Sequence, residues 1–187
     1  MTSLWSSDDW VPAHPSVPAI FDLPDVDLHS ISPDWMHTKH LGVDQYFFES
    51  VLMLLTHNVD GGRMLTGSPQ ENLAAVWNDI KSTRGTYSDL RLSMFVPAPE
   101  HFPCLKGRAA EVRNFGPPLL EIWEKMMNRR NQQHRQIRLA LIASVELERI
   151  LDRNSDRFVL AGAEAASFRK HCFDLAALVS GLGRCLP

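Results

Sequence analysis

Asp34 and His37 open the segment of this sequence in which residue types and spacing could support chemistry. The two residues are three positions apart, and in a helix such a pair lies on one face, where a carboxylate can orient an imidazole or both can approach a cation. The same segment also fits a helix start, with Ser32 as the N-cap, Pro33 at the first position and Asp34 in the first turn. Both interpretations, a site and a cap, stay open at this level.

A second constellation is formed by His37, His40 and Asp44. Their i, i+3 and i+7 spacing would place two imidazoles and a carboxylate on one helical stripe, as a zinc or iron site requires. Gly42 weakens a helix here, and the spacing differs from the i, i+4 histidine pair of helical metalloproteases. Surface or capping histidines are therefore the default interpretation, and a bound transition metal is the alternative.

The segment from Lys125 to Arg138 is a basic run that contains no acidic residue. Arg130, His134 and Arg138 follow four-residue steps, so in one helix they would stand on one side and could meet successive phosphates. A solvated helix face is the alternative. The residues predicted to contact DNA are Lys125, Arg129, Arg130, His134, Arg135 and Arg138.

Composition and charge narrow the class of protein. The chain has 187 residues, a net charge of −3 and 44% apolar residues, which is the profile of one ordinary domain with its own core. Residues 1–38 contain six aspartates and no lysine or arginine, so the rest of the chain holds 19 basic and 16 acidic residues. A surface for a polyanion must therefore be a local patch after residue 38.

Several classes of protein are excluded by what the sequence lacks. Three widely spaced cysteines without a C-x-x-C pair indicate reduced thiols rather than disulfides or a thiolate zinc site. The absence of a Gly-rich phosphate loop and of a nucleophile elbow argues against most nucleotide enzymes and serine hydrolases. Because no apolar stretch approaches the roughly 20 residues of a membrane helix and residues 1–12 lack a basic targeting pattern, we expect an intracellular protein without membrane contact.

The elements that must position these residues are predicted to be helices. Residues 1–33 contain five of the twelve prolines and predict an acidic extended arm that packs on a body formed by residues 34–187. Periodicity and capping signals predict helices over 41–58, 68–81, 108–127, 132–152 and 164–182. Pro117 and Pro118 should break the third helix at Gly116, and residues 87–96 fit either a strand or a helical turn. The fold class is predicted to be mainly α, with about five helices behind the proline-rich arm.

Apolar stripes on these helices predict the core. Helix 41–58 contributes Phe47, Val51, Leu54 and Leu55, helix 132–152 contributes Leu139, Ile142, Val145 and Leu147, and helix 164–182 contributes Phe168, Cys172, Leu175, Val179 and Leu182.

Three further features occur in a distinctive order along the chain. They are Ala19 to Pro24 (AIFDLP), Asp34 to His37 (DWMH) and Pro103 to Glu111 (PCLKGRAAE), and a predicted helix follows each of the last two. Together they resemble the later part of CACTA (En/Spm-type) DNA transposases, in which an Ile-Phe-x-Leu-Pro-like stretch precedes an Asp-x-Met-His motif and a later Leu-Lys segment carries an acidic residue. The resemblance covers residues 19–123.

The resemblance implies an RNase H-like DDE/D transposase, in which converging carboxylates hold two divalent ions, Mg²⁺ or Mn²⁺, for in-line attack on a DNA phosphate. By this analogy Asp34 and His37 correspond to the motif downstream of the second catalytic acid. Glu111 is the candidate for the last catalytic acid, and Asp34 and Glu111 would be metal ligands. The family's first acid lies on a sheet well upstream of the motif, whereas only 33 residues precede Asp34 here.

The chain therefore resembles the helical back portion of such an enzyme, with at most one or two short strands left of the RNase H-like part. The leading hypothesis is a transposase-derived DNA-binding protein, nuclear in location, that lacks a complete two-metal site on its own. A second copy or an upstream transposase chain is the expected protein partner. The alternative hypothesis is a helical protein-interaction module or homo-oligomer that binds no nucleic acid.

Overall fold

A computed structural model describes residues 34–57, 65–81, 87–96, 104–156 and 159–182 of the chain. The chain divides into two compact units, residues 1–35 and residues 36–187. All the elements below belong to the second unit. The predicted arm, residues 1–33, lies outside the described residues.

The second unit is built from helices. A π-helix, Met36–Asp44, leads directly into helix α1, Gln45–His57, and α2 spans Pro69–Ile80. A short 3₁₀ turn, Leu92–Met94, precedes the three long helices, which are α3 (Ala109–Met126), α4 (Gln132–Arg153) and α5 (Gly162–Leu182). No strand occurs in the described ranges, which confirms the mainly α prediction for them.

The core lies where the π-helix, α1 and α2 pack against α3 and α4. Trp123, Phe48 and Phe115 are fully buried there, and the rings of Phe48 and Phe115 lie 6.3 Å apart between centroids. Tyr87 packs edge-on against Phe115 at 5.5 Å. Such aromatic contacts add directional preference to apolar burial, which is the main stabilising term.

Two helix starts are fixed by side-chain caps. Ser68 Oγ accepts from the backbone N–H of Glu71 at 3.4 Å, and Glu71 Oε2 accepts from the N–H of Ser68 at 2.7 Å, which confirms the predicted capping box of α2. At α4 the N-cap is Asn131, whose Oδ1 accepts from the N–H groups of Gln133 at 2.8 Å and His134 at 3.3 Å. These bonds satisfy donors that a helix start otherwise leaves unpaired.

The predicted break at Gly116 is wrong, because α3 runs continuously through Pro117 and Pro118. Pro118 is buried and Pro117 is exposed, so the pair sits in register with the packed face of the helix. Gly116 provides the close approach on that face: a Cβ there would lie 3.3 Å from Phe48 Cζ. Packing of this segment against α1 and α4 outweighs the loss of two backbone donors.

Other boundaries and faces also differ from the sequence predictions. The first helix begins five residues earlier than predicted, at Met36, because its first turns are π-helical. For residues 87–96, where a strand and a helical turn were both open, the structure shows a helical turn, the short 3₁₀ turn Leu92–Met94. The stripe of α1 is buried as predicted, but Leu139 of α4 is 50% exposed. In α5 only Leu175 and Leu182 are buried, because that helix packs chiefly along α4.

Among the described residues, no helix combines the length and apolar character that a membrane span needs.

Replacing Asn131 with Ala tests the cap that begins α4. We expect Asn131→Ala to lower the free energy of unfolding by about 1 kcal/mol, because two backbone donors lose their acceptor. Urea denaturation followed by circular dichroism measures this, with Gln132→Ala, at the exposed next position, as the control. Equal stability of the two variants would contradict the capping role.

Candidate functional site

The π-helix places Lys39 and Asp44 together inside the protein. Its i→i+5 hydrogen-bonding pattern brings residues five positions apart onto one face, and Lys39 Nζ lies 2.5 Å from Asp44 Oδ2. Both residues are almost completely buried. A buried charge costs stability unless it is paired. The π-helical geometry allows this pairing because it places the two side chains on one face.

Helix α4 supplies the second half of the same polar group. Ser144 and Glu148 are four residues apart and face the π-helix, where Lys39 Nζ donates to Ser144 Oγ at 3.0 Å and pairs with Glu148 Oε1 at 3.1 Å. Ser144 Oγ donates in turn to Asp44 Oδ1 at 2.9 Å. His40 Nε2 forms a hydrogen bond with Glu148 Oε1 at 2.9 Å, so the Glu148 carboxylate contacts two basic side chains.

Helix α3 closes the group through Arg113. Its Nε donates to Glu148 Oε2 at 2.8 Å, and its Nη2 pairs with Asp152. The Glu148 cluster therefore contains three basic side chains, three carboxylates and one hydroxyl, contributed by Lys39, His40, Asp44, Arg113, Ser144, Glu148 and Asp152. It joins three elements that are far apart in sequence.

The pKa values of the two buried carboxyl groups of the cluster shift in opposite directions. Burial would raise the pKa of Glu148, but the hydrogen bonds and charges of His40 and Lys39 outweigh it and lower that pKa to about 2. Burial raises the pKa of Asp44, opposed by the ammonium of Lys39 and the hydroxyl of Ser144. Because each carboxylate is already engaged by a basic side chain, the arrangement holds the helices together rather than presenting a reactive group.

Substitution of Glu148 tests the cluster through the pH dependence of stability. A lowered folded-state pKa contributes stability that is present above the ordinary value of 4.5 and is lost as the pH falls toward about 2. We expect Glu148→Gln to cost about 2 to 4 kcal/mol at pH 7, because three basic side chains lose their carboxylate. Its unfolding free energy should then vary less than the wild type's between pH 5 and pH 2.5, both measured by urea denaturation.

Glu146→Gln is the matched control, because Glu146 lies on the same helix and makes a surface pair with Arg149 that is worth less than about 1 kcal/mol. If Glu148→Gln unfolded like this control at every pH, the cluster would not stabilise the fold.

A further buried carboxyl, Glu49 on α1, lies outside the Glu148 cluster. It is 2% exposed, and in the described residues its hydrogen-bond partner is Ser50 Oγ at 3.3 Å. Burial raises the pKa of Glu49 from 4.5 to about 7, although the Ser50 hydroxyl opposes the shift. Ionisation of Glu49 therefore costs stability near neutral pH.

The stability that the raised pKa of Glu49 provides is fully present below pH 4.5 and is lost as the pH rises through about 7. At pH 8 we expect the free energy of unfolding of Glu49→Gln to exceed that of the wild type by up to about 2 kcal/mol. The difference should vanish toward pH 5. Thermal and urea unfolding at both pH values measure this. A gain at pH 5 that equals the gain at pH 8 would contradict it.

The structure distributes the predicted acid and histidine residues between different places. Asp34 and His37 are exposed, and Asp34 belongs to the first unit of the chain while His37 belongs to the second. His40 and Asp44 lie in the Glu148 cluster, so His37, His40 and Asp44 do not form one stripe. Lys39 occupies the position between Asp44 and Glu148 that a cation would need. The part of the chain that the structure describes holds no group of three or more His, Cys, Asp or Glu side chains able to bind a metal ion.

Glu111 lies in the first turn of α3. Its Oε2 accepts from the backbone N–H of Arg108 at 2.7 Å, which is a capping interaction. It also lies near Tyr87, whose pKa is raised by burial and by the Glu111 charge. The side chain by which α3 reaches the Glu148 cluster is Arg113, two residues further along.

The basic run is divided by the start of α4, so its predicted single face is wrong. Arg129 and Arg130 lie in the turn before the N-cap Asn131. His134 is fully buried, with its ring 5.0 Å from that of Trp123 and its Nδ1 accepting from the N–H of Asn128 at 2.9 Å. A buried ring cannot reach a phosphate, so His134 is a residue of the corner between α3 and α4.

The remaining cations of the run differ in their partners. Lys125 pairs with Glu121 at 2.9 Å and with Asp79 at 3.7 Å. Arg135 Nη1 donates to the carbonyl oxygens of Arg129 at 3.0 Å and Arg130 at 3.1 Å. Arg138 Nε donates to Glu124 Oε1 at 2.7 Å, and Arg138 Nη2 pairs with the same oxygen at 2.7 Å.

A cleft of about 390 Å³ lies at this corner. We call it the arginine cleft. Among the described residues, three arginines and one glutamate line it, which gives a formal charge of +2, and a guanidinium fork matches the oxygens of a phosphate or carboxylate. Its lining residues are Glu124, Met127, Arg129, Arg135 and Arg138.

Sequence reasoning did not identify Lys39, Arg113, Ser144, Glu148 or Asp152 as members of a site. One signal was present: Ser144 and Glu148 are polar residues four apart that interrupt the apolar face of α4. Their partners, however, come from more than 30 residues away in sequence, so no local pattern could reveal them.

Comparison with protein-family models, with curated proteins and with solved structures gives no match.

Proposed function

We propose that this chain is a DNA-binding protein that contacts the phosphate backbone through the arginine cleft and the adjoining turn. The observation that carries the proposal is the convergence of Arg129, Arg135 and Arg138 on one open cleft. Arginine binds phosphate through paired, charge-assisted hydrogen bonds, and contacts to phosphates supply the sequence-independent part of DNA affinity.

Two arginines of the turn are suited to this role. Arg129 and Arg130 are exposed, and within the described ranges their guanidinium groups form no hydrogen bond or ion pair. Arg135 fixes the turn by its bonds to their carbonyl oxygens, so the two side chains project from a constrained backbone. A constrained backbone lowers the entropy that is lost on binding.

The proposal includes the ancestry that the sequence suggests, a CACTA-type transposase, and with it a nuclear location. It does not include strand transfer by this chain alone. Asp34, His37 and Glu111 are proposed as remnants of the ancestral site, which would need an upstream chain or a second copy to complete a Mg²⁺ or Mn²⁺ centre. DNA binding that is independent of these ions is therefore the expected behaviour.

A second candidate function, a protein-interaction module, is favoured by apolar side chains exposed on the last two helices. Phe173 of α5 is 55% exposed and Leu139 of α4 is 50% exposed. Large exposed apolar side chains are typical of contact surfaces when they cluster. Sedimentation velocity over a range of concentrations distinguishes this candidate, because self-association without DNA affinity would favour it.

The DNA proposal predicts a salt-dependent affinity that the turn arginines control. We expect the double variant Arg129→Ala/Arg130→Ala to bind a labelled duplex about tenfold or more weakly at low salt, and to lower the log–log salt slope by about 2, since each lost phosphate contact removes roughly 0.9. Fluorescence anisotropy titrations at several salt concentrations, with and without Mg²⁺, measure both quantities.

The control is Arg153→Ala/Arg169→Ala, which removes the same charge from exposed positions. Arg153 lies eighteen residues beyond Arg135 on α4, a distance of about 27 Å along a helix. The proposal fails if both double variants weaken binding equally, or if the wild type shows no salt-dependent binding.

A further inference from the structure

Among the residues that the structure describes, Glu124 is the one acidic residue that lines the arginine cleft. It lies on the last turns of α3, where Nε of Arg138 donates to its Oε1 at 2.7 Å and Nη2 of Arg138 lies 2.7 Å from the same oxygen. A guanidinium group holds a phosphate oxygen by the same kind of charge-assisted contact. The carboxylate therefore occupies, within the protein, the ligand position that a phosphate oxygen would take on Arg138.

We propose that Glu124 competes with phosphate for Arg138 and thereby limits the DNA affinity of the arginine cleft. The inference rests on the proposed function and identifies how that same site is regulated. A phosphate entering the cleft must displace the Glu124 carboxylate from Arg138, or bind with a like charge beside it, and either path weakens binding.

The three arginines of the cleft differ in whether a carboxylate compensates their positive charge. Arg129 has no ion pair within the described residues, and Arg135 is bound to neutral carbonyl oxygens, so both keep their positive charge uncompensated. Arg138 is compensated by a carboxylate at 2.7 Å. Removing Arg138 should therefore have little effect on DNA binding while Glu124 is present and a large effect once it is absent.

Both members of the pair are accessible enough for this exchange. The side chain of Arg138 is 42% exposed and that of Glu124 is 41% exposed, so neither is required to fill the core. Exposed ion pairs of this kind contribute little to stability. Substitutions at Glu124 and Arg138 should therefore leave the fold intact, which thermal melts of each variant verify.

The test is a double-mutant cycle on Glu124 and Arg138, measured by anisotropy with a labelled DNA duplex. We expect Glu124→Gln to tighten binding about tenfold, the size of one charge-assisted contact. Arg138→Ala should weaken binding by less than about threefold in the wild type and by about tenfold or more in the Glu124→Gln background.

Glu121→Gln is the matched control. Glu121 lies three residues earlier on α3, is exposed and pairs with Lys125, so its substitution removes the same charge near the cleft without releasing Arg138. A general electrostatic effect would tighten binding equally in both glutamine variants. A specific competition tightens it more in Glu124→Gln.

The outcomes separate this inference from the proposed function. If the wild type binds DNA through Arg129 and Arg130 but Glu124→Gln behaves like Glu121→Gln, competition by Glu124 is wrong and the DNA-binding proposal stands. If Glu124→Gln weakens binding, the carboxylate orients Arg138 for phosphate instead of competing with it, and the inference is again overturned. If no variant shows salt-dependent binding, both proposals fail.

Discussion

The paired contacts of Glu148 are the interaction on which the described structure depends most. This carboxylate belongs to α4 and engages Lys39 and His40 of the π-helix and Arg113 of α3. Buried charges stabilise a fold only when each of them is compensated. Sliding either the π-helix or α3 along α4 would leave a charge unpaired, so the cluster restricts the register of these elements more strictly than apolar packing alone.

The arginine cleft lies at the corner between α3 and α4, which is a second contact between these two helices. Helices α3 and α4 are joined through Arg113 and Glu148, and again at the corner, where Trp123 Nε1 donates to the carbonyl oxygen of His134 at 3.0 Å. The turn between the helices, residues 127–131, is thus held by a packed ring pair, by the Asn131 cap and by Arg135. A site on a fixed turn can hold its arginines in place before a ligand arrives.

Local sequence signals predicted much of the helical framework. The capping box at Ser68 and the periodic stripe of α1 were reliable because both depend on neighbours within one or two turns. The break at Gly116 was wrong because burial of Gly116 and Pro118 against other helices outweighs a local penalty. Leu139 was predicted to lie in the core but is half exposed, because an apolar pattern does not reveal how much of a helix surface the neighbouring helices cover.

The polar sites were less predictable. His40 and Asp44 were recognised, together with His37, as a candidate metal site, but their partners Ser144 and Glu148 lie about 100 residues away, and the π-helix that orients them is stabilised by those distant contacts. The basic run was recognised from composition, yet the start of α4 at Gln132 divides it. His134 is buried and packs against the indole of Trp123. Which basic side chains remain accessible is therefore decided by packing.

We propose that DNA contacts this chain at the corner between α3 and α4. A titration of the isotope-labelled chain with a short DNA duplex at low salt, followed by amide chemical shifts in NMR spectra, tests this contact. We expect the largest shifts to cluster at residues 127–138 and to disappear as salt is added. Shifts centred on α5, or no salt-sensitive shifts at residues 127–138, would contradict it.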